Sequence, residues 1–178
     1  GSWVTNDPLP RARVFYDVQS RQHAWHSELW DRRLPHSHSF DPGELAIPPS
    51  LGVDQMLNLV AGGEGSGSGS GGSGGTLLRL VGIARVLLPR LVAGYTIHLR
   101  RVVPIADAPT ERALRLILND EIEAWHDAEL YLQELVRRPS DVAAVTAHQQ
   151  ALEGLVAEEG PGLVGLGAMP VEPPFVAD

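Results

Sequence analysis

Residues 76–103 read TLLRLVGIARVLLPRLVAGYTIHLRRVV, and the spacing of their apolar side chains decides the fold class. Leu77, Leu80, Val81, Ala84, Leu87, Leu88, Leu91, Val92, Tyr95, Leu99 and Val102 recur at three- and four-residue intervals, which puts them on one face of a helix. Arg85, Pro89 and Arg90 interrupt the most apolar part, so the stretch is a poor membrane span. Pro89 has no backbone N–H and its ring crowds the turn before it, so a kink is predicted there.

Working outward, residues 62–75 read GGEGSGSGSGGSGG, a flexible Gly/Ser linker with nothing to bury. Ahead of it, a helix is predicted from Pro10 to Arg33, with Asp7 as N-cap and Pro35 as the stop. Residues 36–49, rich in Pro, Ser and His, read as a loop, and a short helix follows from Val53 to Val60. Beyond residue 103, the connection Pro104 to Ala106 leads to Asp107 as N-cap of a helix that reaches Arg138. Ser140 then caps a last helix carrying Val142, Val145, Leu152 and Leu155 on one side, which ends near Gly160-Pro161. No strand pattern competes. The expected architecture is all-α, one domain over residues 1–178: a four-helix bundle with a long crossover between its first two helices and an additional short helix.

Composition narrows the function. The chain has 178 residues, 43% of them hydrophobic, and a formal net charge of -8. Such a chain can bury a core, and its acidity argues against nucleic acid as a partner, because phosphate binding needs clustered cations. The basic pairs Arg32-Arg33, Arg100-Arg101 and Arg137-Arg138 fall near helix ends, where they complement the dipole. With no cysteine, thiolate metal sites, disulfides and cysteine nucleophiles are excluded. No signal peptide is visible and no segment suits a membrane, so a cytoplasmic location is expected.

A repeat carries the candidate chemistry. Residues 21–30, RQHAWHSELW, resemble residues 121–130, EIEAWHDAEL, with Ala-Trp-His identical, and Asp7 and Asp107 precede them at the same offset. Such a match suggests a bundle with approximate two-fold symmetry. His23 and His26 are three apart, as are Glu123 and His126, so each pair can point to one side of its helix. Helical bundles hold iron or manganese with histidines and carboxylates at this spacing, and Asp120, Glu121 and Asp127 add carboxylates nearby.

On these residues, over 7–33 and 76–158, the chain resembles the ferritin-like superfamily. The resemblance implies metal ligands at Glu123 and His126, with His23 and His26 in the matching half-site, iron or manganese as cofactor, and oxidoreductase-type chemistry on dioxygen or peroxide. The pattern also departs from the family's. His23 stands where a carboxylate is expected, and residues 76–103 contain no Asp or Glu, leaving Tyr95 and His98 as the only donors there. If Glu121 began the motif instead, the expected histidine would fall at Ala124. The alternative is a metal-free bundle of the same kind serving as a binding or oligomerisation module. In that reading Trp25 and Trp125 are packing aromatics, Tyr95 and His98 form a buried hydrogen-bonded pair, and His36 and His38 are solvated loop residues. A homodimer is expected, because the helix from Leu77 to Val103 carries more apolar surface than one bundle face needs.

Overall fold

A computed structural model describes residues 3–34, 47–61, 73–158 and 163. The elements are α1 (Trp3–Asn6), α2 (Pro10–Asp31), α3 (Leu51–Val60), α4 (Ser73–Val81), a π-helical segment (Gly82–Leu87), α5 (Leu88–Arg101), α6 (Ala108–Leu135) and α7 (Pro139–Leu155). The protein is all-α, with no strand among the described residues. None of the described helices is long and apolar enough to cross a membrane. His36, His38, most of the Gly/Ser tract and the C-terminal tail lie outside the described residues.

The stretch 76–103 forms the middle of the molecule. α4, the π segment and α5 follow one another without a break, and this rod packs on α6 and α7, while α3 packs on α7 and α2 on α6. Leu80, Val81, Val86 and Leu88 of the rod meet Met56 of α3, Leu132 of α6 and Leu152 of α7 in one core. The apolar side chains of the first half of this stretch are taken up inside the fold, while Leu91, Val92, Tyr95, Leu99 and Val102 are only half-buried. Leu77, Leu80, Val81, Ile83, Ala84, Val86 and Leu88 are all buried, because the rod has neighbours on more than one side.

The adjustment to Pro89 takes a form that the spacing alone does not predict. Leu88 N–H donates to the carbonyl of Ile83, five residues back, so the helix widens by one residue per turn just before the proline. This is a way of accommodating the proline ring and the lost N–H while the rod continues.

Several helix starts also differ from expectation. α4 begins at Ser73, so the end of the glycine tract is helical rather than linker. α3 begins at Leu51, capped by the Ser50 hydroxyl, which accepts from Val53 N–H at 3.1 Å. Asp7 is not the N-cap of α2; Leu9 is, with Pro10 opening the helix. The buried Asp7 carboxylate instead accepts from Leu9 N–H at 3.0 Å, from the Thr76 hydroxyl at 2.8 and 2.9 Å and from Arg79 at 3.2 Å, which ties the entry of α2 to α4. Asp107 does stand at the N-cap of α6, although its side chain makes no capping hydrogen bond. α6 stops at Leu135 rather than Arg138, and α7 opens on Pro139 rather than after Ser140. Asp141 supplies the cap that Ser140 was expected to give, its Oδ2 accepting from Arg138 N–H at 3.0 Å and Arg137 N–H at 3.2 Å.

Candidate metal centre

The inward stripe of α2 runs Ala12, Tyr16, Gln19 and His26, and that of α6 runs Leu114, Ile117, Glu121, Ala124, Ala128 and Leu132. Both follow the three-and-four spacing of a helix face, and each carries polar side chains where an apolar one would pack without cost. Where the two stripes meet, His23, His26 and Glu121 converge, with one donor atom from each lying within 4.8 Å of the others. Among the described residues no other group of three histidines or carboxylates is so placed.

The geometry is specific. His26 Nδ1 lies 3.0 Å from Glu121 Oε1, and His23 Nδ1 lies 3.2 Å from the same oxygen. His26 Nε2 lies 3.0 Å from Asp120 Oδ2. The Glu121 residue is 1% exposed, and its second carboxylate oxygen, Oε2, is buried without a hydrogen-bond partner. A buried carboxylate with an orphaned oxygen is costly unless something neutralises it.

Proton counting sharpens the point. A neutral imidazole has one N–H and one lone pair, yet both ring nitrogens of His26 face carboxylate oxygens. If Nε2–H donates to Asp120, Nδ1 turns its lone pair on Glu121, and two acceptors face each other across 3.0 Å. A second proton or a metal ion must lie between them, and the direction of both pKa shifts places that proton on the imidazole in the metal-free protein. Burial by itself would lower the His26 pKa, but hydrogen bonds to Glu121 and Asp120 outweigh it and hold the imidazole above its ordinary value. Glu121 is the converse case: burial would raise its pKa, and the contacts with His23 and His26 hold it below the usual carboxylate range.

The residues fit a metal ion on the same observations. Ligands about 2.1 Å from one ion lie roughly 3.0–3.4 Å from each other, the range of the two nitrogen-to-Oε1 separations. Two histidines with one carboxylate suit iron, manganese or zinc. Asp120 on the far nitrogen of His26 is the carboxylate–histidine arrangement that orients a ligating imidazole. With both histidines neutral, Asp120 and Glu121 together carry the charge that one dication cancels.

Glu123 and His126, assigned above as ligands, stand elsewhere. At about 100° per residue, positions 123 and 126 lie roughly 200° and 140° around α6 from Glu121, so both point away from α2. Glu123 is exposed and accepts from Asn119 at 3.1 Å, while His126 is exposed beside Arg85, Glu129 and Gln149. The repeat accordingly does not produce matched positions. In the first copy His26 is buried and Ala24 exposed, and in the second Ala124 is buried and His126 exposed. Trp25 and Trp125 are 44% and 37% exposed, rim rather than core aromatics. Asp127 is exposed as well.

Tyr95 and His98 pair through a third ring rather than with each other. The Trp30 indole stacks on both, with centroids 5.9 Å from Tyr95 and 6.0 Å from His98. Burial pushes the Tyr95 phenol up, Glu121 adds to this, and a hydrogen bond with Trp30 opposes it. By spacing alone Asp120 is a nearby carboxylate and Glu121 is either that or the start of a motif whose histidine position is Ala124. The signal that marks Glu121 is its phase, a charged residue on the apolar stripe through Ile117, Ala124 and Ala128.

No family profile, no curated protein sequence and no solved structure matches the chain.

Proposed function

We propose that this protein binds one divalent transition-metal ion through His23, His26 and Glu121, with Asp120 orienting His26. The observation that carries the reading is the buried Glu121 carboxylate, with one oxygen orphaned and the other set against two imidazole nitrogens. A ferritin-like helical frame and oxidoreductase-type chemistry remain part of the proposal, resting on the sequence resemblance and on the all-helical architecture. The donor set differs from that expectation in joining Glu121, rather than Glu123 and His126, to His23 and His26. Iron or manganese bound there would supply redox chemistry, and zinc would supply activation of water. The role of the chain is to bury His26 and Glu121 away from bulk water, with His23 at the half-open edge, and, through Asp120, to fix which His26 nitrogen carries hydrogen.

The test is metal uptake by protein purified without a histidine tag and offered Fe(II), Mn(II) or Zn(II) in turn. About one equivalent of at least one metal is expected, lost in Glu121→Ala and His26→Ala and retained in Glu123→Ala and His126→Ala. Uptake below roughly 0.1 equivalent of every metal, or loss on changing Glu123 but not Glu121, overturns the assignment.

A second reading, a metal-free module that self-associates, is favoured by the large apolar side chains Ile122, Trp125 and Leu130 of α6, which are 47%, 37% and 46% exposed. A strictly monomeric species by light scattering at high micromolar concentration rejects it.

A further inference from the structure

We infer that a cavity beside the donor cluster is a binding site for a small, uncharged and mainly apolar molecule. The cavity encloses about 400 Å³ between α2, α3 and the π segment, within the range of about 300–1,000 Å³ usual for small-molecule sites. Its walls are helical stripes. α2 contributes Tyr16, Gln19, Ser20 and His23, at i, i+3, i+4 and i+7, so one face of that helix lines it. Opposite stand Leu57 and Val60 of α3 and Ala61 just after it, with Ile83 and Leu87 one turn apart on the π segment.

The chemistry of the walls defines the occupant. Among the described residues no Lys, Arg, Asp or Glu lines the cavity, so a charged ligand would lose its hydration with no countercharge from them in return. The facing aliphatic side chains gain by excluding water, and Leu57, 37% exposed at this wall, is an apolar side chain left partly open to solvent. The polar features are few. Gln19 is 9% exposed, and its side-chain carbonyl oxygen is buried without a hydrogen-bond partner, which favours a ligand bearing a hydroxyl or N–H donor. His23 belongs to both places: it lines the cavity, and its Nδ1 lies 3.2 Å from Glu121 Oε1. A molecule held there lies against a side chain of the candidate metal centre. The binding claim itself goes beyond the metal reading and does not depend on it.

The experiment is calorimetric titration of the full chain, treated with chelator so that metal occupancy plays no part, with 1-naphthol, naphthalene and the anion 1-naphthoate. Saturable one-site binding of 1-naphthol is expected, at least about tenfold tighter than 1-naphthoate. Ala61→Phe and Ser20→Phe fill the cavity from opposite walls at exposed positions. Each is expected to weaken 1-naphthol at least about tenfold while keeping the wild-type circular dichroism and urea midpoint. Gln19→Leu should erase the preference for 1-naphthol over naphthalene. Equal affinity for the anion, wild-type affinity in both filled variants, or no saturable binding up to the solubility limit of 1-naphthol overturns the inference. Metal uptake measured on Ala61→Phe stays at the wild-type value, so failure here and failure of the metal assignment are read on separate instruments.

Discussion

His26 is the residue on which the site turns, because it faces a carboxylate through each ring nitrogen and can satisfy both only with a second proton or a metal ion between it and Glu121. In chelator-treated protein the second ring proton fills that role, and the sign of the pH dependence follows. The His26 pKa is raised in the folded state, so its contribution is complete below the ordinary value of 6.5 and disappears as pH rises through the folded value. The Glu121 pKa is lowered, so its contribution is complete above 4.5 and disappears as pH falls through the folded value. The urea midpoint of the metal-free protein is therefore expected to be highest between these limits and to fall on either side, and Glu121→Gln should flatten the profile. Metal reverses the alkaline limb, since it competes with protons for the same lone pairs and its added stability grows with pH. A midpoint that rises steadily from pH 6 to 8 without metal contradicts the proton-bridged arrangement.

Packing decides at the level of the helices which glycines matter. A Cβ on Gly82, at the start of the π segment, would lie 2.7 Å from Val60 Cγ2 and 3.3 Å from Leu152 Cδ1. Val60 is β-branched and 4% exposed, so it has little room to give way. Overpacking of about 1–3 kcal/mol should offset or outweigh the roughly 1 kcal/mol gained in helix propensity, leaving Gly82→Ala destabilised by up to about 2 kcal/mol. Gly154, in α7, has nothing within 4 Å of the same added atom, so Gly154→Ala should gain about 0.5–1 kcal/mol. Opposite signs in denaturant unfolding verify the pair. The entry of α2 is secured differently, through Asp7 on Thr76 and Arg79. Asp7→Ala strands a hydroxyl that is fully buried, and a loss of about 2–3 kcal/mol is expected in the same measurement.

Considered whole, the molecule is held by one core in which α3, the rod, α6 and α7 all take part, and Leu152 sits inside it fully buried. Leu152→Ala is expected to cost about 2–5 kcal/mol and to lower the thermal midpoint by roughly 5–15 °C, read by circular dichroism. The helices themselves were legible in the chain, because the periodicity of residues such as Leu77, Leu80, Ala84 and Leu88 is a local property that any helix would have to bury. The candidate site was half legible. His23 and His26 share a face by spacing alone, whichever partner they meet. Choosing Glu121 over Glu123 required knowing which side of α6 turns toward α2, and the Ala-Trp-His repeat pointed to the wrong side, since identical tripeptides can lie at different phases relative to a core. The burial of the rod's first half and the π widening ahead of Pro89 were likewise settled by neighbours distant in the chain. Periodicity states how much a helix must bury, but which atoms meet depends on how whole helices pack, and no single segment contains that information.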